Sequence, residues 1–467
     1  MEPENVPPTS GRGAWKNSPT GLPVGVPPPS VPLSFLSAAA TGLIACGVAL
    51  VWSRSYAVVD PTNDRVVGAA HFAMLATLSM GVLGAIHQFT PVMTRKPLRS
   101  VIISRATFFS WLAGSWSLAL GFATQHEPVV EVGGMFAGVA VVLLVVNISS
   151  SLAQSGKGAP VTGLRLAIIG FVATACIGAV YVTDRSAKWF DLSGHVVVAH
   201  AVVGLLAWLG LTYLSVSEKL WPMFLLAHVP GRQWAAWIGV WALFVGVACL
   251  SPGLLWNVEW LSWSGALLVA IGLGAHLVSL IMHVKYRRRT VDLHLVFVVT
   301  AGAWLVAGMG LALAGALTVG HHHHLGVALV AAAVSAIAGW LLVALVGHSY
   351  KIVPFIVWSA LRGRGTSKNA DGTPLMFGDL YNHRASIVVY AFVVSGVTAT
   401  CLGFALSSSL VLALGGLLFV ATGLSVIINL SWRPLRLLTS TAKGGSTDQV
   451  ATSLTLGVTL DRKPSQG

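Results

Sequence analysis

The feature that most constrains this chain is a succession of twelve apolar runs, most of them near the roughly 20 residues that a helix needs to cross a bilayer. A backbone in lipid must satisfy its own hydrogen bonds, so apolar runs of this length are expected to be membrane-spanning helices. The composition agrees, because 9% of the residues are charged, whereas soluble proteins carry about 25%. We therefore predict an all-α polytopic membrane bundle of about twelve transmembrane helices. The predicted spans are 33–52, 66–91, 102–122, 132–152, 166–182, 196–216, 234–250, 260–282, 295–317, 325–353, 387–406 and 410–430.

The apolar runs divide the chain into three parts. Residues 1–31 are rich in Pro, Gly and Ser and are predicted to be a disordered cytoplasmic tail. Residues 32–432 form the twelve-helix transmembrane domain, and residues 433–467 are a polar cytoplasmic tail. The four cysteines are scattered singly without a Cys-x-x-Cys motif, which argues against a disulfide framework, a zinc knuckle and covalently attached c-type haem.

A proline near the end of three of these runs marks an internal repeat. Pro91, Pro222 and Pro354 are separated by 222 − 91 = 131 and 354 − 222 = 132 residues. The second and third copies also share a lysine three residues before the proline and a tryptophan fourteen before it, and all three copies have Gly or Ser seven before it. This period predicts three pseudo-symmetric four-helix arcs, at about 33–152, 166–282 and 295–430, related by an axis along the membrane normal.

The charges in the loops predict the orientation. Loops after even-numbered helices are basic and carry Arg95, Lys96, Arg99, Lys157, Lys219, Arg232, Lys285, Arg287, Arg288, Arg289, Arg362, Arg364 and Lys368. Loops after odd-numbered helices are acidic, mixed or nearly uncharged. By the positive-inside rule, both termini are cytoplasmic in a plasma (inner) membrane protein. The net charge of +13 faces anionic membrane lipid, so no nucleic-acid partner is expected.

Fifteen histidines are many for so apolar a chain, and an ionisable residue inside a membrane is a functional candidate by default. The predicted orientation sorts most of them into two layers. The outer layer contains His71, His195, His200, His321, His322, His323 and His324. The inner layer contains His87, His228, His276, His283, His294 and His348.

Helix geometry limits which histidines can share a ligand. His71 and His87 are sixteen residues apart, so they lie about 24 Å apart on roughly opposite faces and cannot bind one metal. His87 and His348 lie four and six residues before their prolines, so their depths differ by about 3 Å. That difference suits two axial ligands of a haem between the second and tenth helices. The candidate cofactor ligands are therefore His71, His87, His200 and His348.

Other interpretations of the histidines stay open. Each lone histidine is alternatively a hydrogen-bonded packing residue. The run His321 to His324 binds copper or zinc, supplies one axial ligand, or is a solvated loop. With His195 and His200, these four residues are the candidate metal ligands of the outer layer.

The layout resembles subunit I of the haem-copper oxidases, a family that includes the nitric oxide reductases. The resemblance rests on the twelve helices in three arcs, on His71-Phe-Ala-Met-Leu with Gly84 and Pro91 in the second helix, and on the tenth-helix ending Tyr350-Lys-Ile-Val-Pro-Phe355. It implies that His71 is the second-helix ligand of a low-spin haem b. It also implies oxidoreductase chemistry, with a soluble cytochrome or cupredoxin as electron donor or other oxidase subunits as partners.

The chain also departs from the family pattern. The seventh run, 234–250, contains no histidine or tyrosine, although the family takes copper ligands from it. The tenth helix has Ala332 and Val334 where the family has His-x-His. We therefore expect a diverged relative that binds haem without the usual copper site and is not an ordinary oxygen reductase.

The acidic residues favour redox chemistry over ion transport. A proton pump or ion-coupled transporter places Asp or Glu inside its helices, whereas every acidic residue here is expected in a loop, in a tail or, like Glu218, near a helix end. Two hypotheses follow: a haem-b membrane redox or gas-sensing protein, and a cofactor-free transporter or copper-handling protein.

Overall fold

A computed structural model describes residues 27–189, 195–229, 233–318, 323–363, 365–366, 368–369 and 372–432. These residues are almost entirely helical, and they contain no β-strand. The prediction of an all-α fold is confirmed. The long helices are α1 Ser30–Ala57, α2 Asp64–Thr94, α3 Val101–Thr124, α4 Glu127–Ala153, α5 Ala159–Ala187, α6 His195–Leu225, α7 Trp234–Leu255, α8 Glu259–Lys285, α9 Leu293–Thr318, α10 His323–Gly363, α11 His383–Ala405 and α12 Ser409–Val426, which continues as a π-helical segment to Trp432.

Eleven of the helices in the described ranges are long and apolar enough to cross a membrane, which confirms a multi-pass membrane protein. The remaining long helix, α3, has 24 residues but includes Arg105 and four serines. Most helices extend beyond the predicted spans, because polar residues at the membrane surface continue the last helical turns. For example, α5 runs from Ala159 to Ala187, although the prediction was 166–182.

Each helix packs mainly on its neighbours in sequence, and α1 also packs on α12. The middle segments of α2, α6 and α10 contact one another pairwise. We call α2, α6 and α10 the central helices, and two of them carry tryptophans that are at most 2% exposed: Trp208 and Trp221 in α6, and Trp340 in α10. The interior between them is therefore filled by large aromatic side chains.

Two of the central helices contain a π-helical segment at matching positions. The segments are Phe72–Ser79 in α2 and Val203–Gly210 in α6. Their first residues are 203 − 72 = 131 apart and their last are 210 − 79 = 131 apart, which equals the interval between Pro91 and Pro222. Segments of this kind are rare and often mark functional sites. In α10 the whole described length is α-helical.

The small residue seven positions before each proline lies where a central helix approaches the helix before it. A Cβ on Gly84 would lie 2.7 Å from the Cβ of Phe35, and one on Gly347 would lie 2.4 Å from the Cβ of Phe297. At Ser215 the close neighbour is a glycine of α5, whose Cβ would lie 2.2 Å from the serine hydroxyl. Any larger residue at these positions would push the two helices apart.

Candidate functional site

The two ends of the bundle differ in charge. We call the end where α2, α4 and α8 begin the acidic side, after Asp64, Glu127 and Glu259. We call the opposite end, where α2 and α8 finish next to Arg95 and Lys285, the basic side. Among the described residues, the histidines predicted for the outer layer lie on the acidic-side half of their helices, and those predicted for the inner layer lie on or just beyond the basic-side half.

His71 and His200 form what we call the acidic-side histidine pair. His71 lies in α2, where its Nδ1 contacts the Val67 carbonyl at 2.8 Å. A carbonyl oxygen only accepts, so Nδ1 carries the proton and Nε2 of the neutral ring has the free lone pair. His200 lies in α6 within electrostatic range of His71, and its buried Nδ1 has no hydrogen-bond partner. Both side chains are half-buried.

An ion-pair network lies beside this pair. Arg185 of α5 donates two hydrogen bonds of 2.9 Å to the Asp64 carboxylate of α2, and it also bonds Glu127 of α4. Its guanidinium carbon lies 5.5 Å from the centroid of Phe122, and the Phe122 ring stacks on His71 with centroids 4.9 Å apart. The network fixes the acidic ends of three helices, and its aromatic arm packs on the His71 imidazole.

His87 lies towards the basic side of α2 and packs against α1. Its ring stacks on Phe35 with centroids 5.1 Å apart. Its Nδ1 donates to the Leu83 carbonyl at 2.7 Å, and its buried Nε2 has no hydrogen-bond partner. The side chain is fully buried.

The basic half of the bundle contains a second group of rings, which we call the basic-side cluster: Tyr213, Trp221, His276, His294 and His348. The Tyr213 ring lies at 5.5 Å from His276 and 5.7 Å from His348, centroid to centroid. The rings of His294 and His348 are 4.9 Å apart and nearly perpendicular. His276 stacks on Trp221 at 5.0 Å. Helices α6, α8, α9 and α10 each contribute to this cluster.

The four predicted cofactor ligands therefore do not meet at one point. His71 and His200 lie within electrostatic range of each other, whereas His87 and His348 have no neighbouring residue in common among their described contacts. A haem between His87 and His348 stays a prediction. His348 instead faces His294, which the sequence did not single out as its neighbour.

One carboxylate, Glu218, lies deeper inside its helix than the expected position near a helix end. Glu218 is 6% exposed and lies inside α6, because that helix continues to Leu225. The Ser279 hydroxyl of α8 donates to its carboxylate. His283, whose Nδ1 donates to the Ser279 carbonyl at 2.8 Å, adjoins this pair. A cavity of about 210 Å³ at the basic side is lined by these three residues, by the α6 end and by the start of α7.

The sequence did contain a signal for Glu218. It lies four residues before Pro222, as His87 lies four before Pro91, and 218 − 87 = 131. Tyr350 occupies the same position before Pro354. All three side chains are buried. Superposing the prolines therefore predicts a buried polar residue at this level of each central helix.

The remaining candidate metal ligands are less informative. His195, the first residue of α6, is exposed, and so is His324 near the start of α10. The side chains of His321, His322 and His323 lie outside the described part. Among the described residues, no group of three or more His, Cys, Asp or Glu could hold a metal ion.

No protein-family model matches this chain, and no curated protein matches it either.

Proposed function

We propose that this chain is a haem-b-binding membrane protein of electron transfer, in which His71 and His200 would hold the haem. The supporting observation is the acidic-side histidine pair, because these are two of the predicted ligands and they lie near each other on α2 and α6. It agrees with the role that the oxidase resemblance implies for His71. A bound haem would accept and donate one electron at a time.

The chemistry of the pair suits a haem iron. His71 is held by its bond to Val67, which fixes the tautomer and leaves Nε2 available, as in many metal-ligating histidines. His200 has a buried Nδ1 without a hydrogen-bond partner, and an iron ligand bond would relieve that loss. Phe122 stacks on the His71 ring and orients it, and the Arg185 guanidinium packs on the Phe122 ring.

The architecture supports the same proposal. We infer twelve transmembrane helices, including α3, in three pseudo-symmetric arcs with α2, α6 and α10 at the centre. The support is the shared offset of 131 residues between π-helical segments and prolines in α2 and α6, and the pairwise contacts of the three central helices. The proposed ligands then lie on two of the three central helices.

Ordinary oxygen reduction is not part of the proposal. The described α7 has no histidine, and α10 has Ala332 and Val334 where the family has ligands. These residues are compatible with electron transfer or gas sensing. The partner would be a soluble cytochrome, a cupredoxin or another membrane subunit.

The test is a reduced-minus-oxidised spectrum with a pyridine haemochrome assay on detergent-purified protein. We expect haem b in the parent, and loss of its six-coordinate bands in His71→Ala and in His200→Ala. Added imidazole should restore part of the signal by filling the vacated ligand position. The control is His383→Ala, which removes an exposed histidine at the basic side and should leave the spectrum unchanged.

The same spectra separate the alternatives. Loss of haem in His87→Ala and His348→Ala, with His71→Ala unaffected, would move the haem to the predicted inner position. A colourless parent protein, produced with ample haem, would overturn the proposal and leave the copper-handling alternative.

The orientation is tested separately. We propose that the basic side faces the cytoplasm of the plasma membrane, with both termini inside. A fluorescent protein fused to the C-terminus should fluoresce in cells, and alkaline phosphatase at the same position should be inactive. Active phosphatase in that fusion would show that the orientation is the reverse of the proposed one.

A further inference from the structure

We propose that His294 and His348 form a two-coordinate site for Cu(I) at the basic side, separate from the proposed haem. The two rings lie 4.9 Å apart, one on α9 and one on α10. Both residues are at most 5% exposed. The site also differs from the copper site expected from the oxidase resemblance, which would use the sixth and seventh helices.

Three ring nitrogens in this pair have no hydrogen-bond partner: both nitrogens of His294, and Nε2 of His348. Leaving a buried polar atom unsatisfied costs about 1–3 kcal/mol. A hydrogen bond between the two imidazoles would have removed part of this cost. The Nδ1 of His348 donates to the Ala344 carbonyl at 2.7 Å, so its Nε2 has the lone pair. The pair therefore offers one lone pair from each neutral ring to a shared ligand.

The surroundings select the charge of that ligand. Phe224 packs on both imidazoles, with centroid distances of 5.3 Å to His294 and 6.4 Å to His348. Tyr213 covers His348 from α6. None of the rings that contact the pair is anionic, so a divalent ion would keep a large uncompensated charge in an apolar interior. A monovalent ion is favoured, and imidazole nitrogens are good copper ligands.

The nearest charged groups balance each other. Lys351 lies within electrostatic range of His294, but its ammonium pairs with the Asp292 carboxylate at 2.5 Å. Burial and then the nearby Asp292 carboxylate raise the pKa of Tyr381, so the tyrosine stays neutral. Lys351 and Asp292 together carry no net formal charge.

The pair lies near the basic-side end of α9. His294 is the second residue of α9, and Asp292 caps that helix by accepting from the Leu295 amide at 3.1 Å. Metal–imidazole bonds are about 2 Å long, so ring rotation and a small separation would be enough to admit an ion between the two nitrogens. These adjustments do not require α9 or α10 to shift by a full helical turn.

The test is an anaerobic titration of the purified full-length protein with Cu(I) against a chromophoric Cu(I) chelator. His321 to His324 are first replaced by serine, because that run would bind copper by itself. We expect this background to bind one Cu(I) per chain. His294→Leu and His348→Leu should each weaken binding by more than roughly 100-fold, since loss of an outer-shell partner alone costs about 10–100-fold.

The matched control is His276→Leu, which removes an equally buried histidine whose ring contacts are Tyr213, Trp221 and Trp340, not His294 or His348, and Cu(I) affinity should stay unchanged. X-ray absorption of the Cu(I)-loaded protein in which His321 to His324 are serine should report two nitrogen neighbours in a linear arrangement. This result does not depend on the folding of either leucine variant. A background that binds no Cu(I), or binding that survives both leucine variants, would overturn the proposal. Haem content measured on the same samples keeps this outcome separate from the proposed haem function.

Discussion

Replacing Trp208 with alanine is expected to lower the free energy of unfolding by about 3–5 kcal/mol, the range for large aromatic-to-alanine changes in protein cores. Trp208 is 2% exposed, and its indole stacks on Phe171 of α5 with ring centroids 3.9 Å apart. Its Nε1–H donates to the Ser79 hydroxyl of α2 at 2.9 Å. One side chain therefore joins α2, α5 and α6, and its loss leaves both a cavity and an unmatched hydroxyl.

The measurement is the fraction of monodisperse protein by size-exclusion chromatography after heating in detergent. Trp208→Ala should lose its peak at a clearly lower temperature than the parent. The control is Trp260→Ala, because Trp260 is 73% exposed and its replacement should change stability by less than about 0.5 kcal/mol. Equal melting temperatures for the two variants would contradict the central position of Trp208.

Replacing Gly170 with alanine is expected to destabilise the protein by about 1–3 kcal/mol or more, although alanine is the better helix former. A Cβ on Gly170 of α5 would lie 2.5 Å from the Ala207 carbonyl oxygen in the π-helical segment of α6. That atom belongs to the backbone, so no side-chain rotation can relieve the clash. The added methyl group must move α5 away from α6, next to the Trp208 stack.

The control for this change has the opposite expected sign. Gly138 of α4 has open space where its Cβ would lie, so Gly138→Ala should stabilise the protein by about 0.5–1 kcal/mol through helix propensity. The two variants make the same chemical change in long helices, and their melting temperatures should move in opposite directions. A stabilised Gly170→Ala variant would show that α5 and α6 do not approach as closely as described.

These two positions also bear on the proposed haem. Ala207 and Trp208 lie two turns beyond His200 in α6, and Ser79 lies two turns beyond His71 in α2. The packing at Trp208 therefore holds together the two helices that carry the acidic-side histidine pair. Haem content of Trp208→Ala should fall together with its stability, whereas His200→Ala should lose haem and keep most of its stability.

Several features could be predicted because they depend on one helix at a time. The apolar runs predicted the multi-pass helical fold, since the thickness of the hydrocarbon core fixes the length of a spanning helix. The predicted spans and their alternating direction placed His71 and His200 towards one side, and His294 and His348 towards the other. The proline period predicted that α2 and α6 are copies of one repeat. It did not indicate that both copies contain a π-helical segment.

What the sequence by itself determined was therefore the helical, multi-pass character of the chain and the approximate limits of its elements. Only the tertiary structure decided which faces meet: that His71 faces Phe122, that His87 stacks on Phe35, and that His348 contacts His294. The physical reason is that lipid is as apolar as the buried side of a helix, so a membrane helix has no polar face to reveal its rotation. Its rotation is fixed by close packing against glycines, aromatic rings and buried polar groups of its neighbours, and those contacts join residues far apart in the chain.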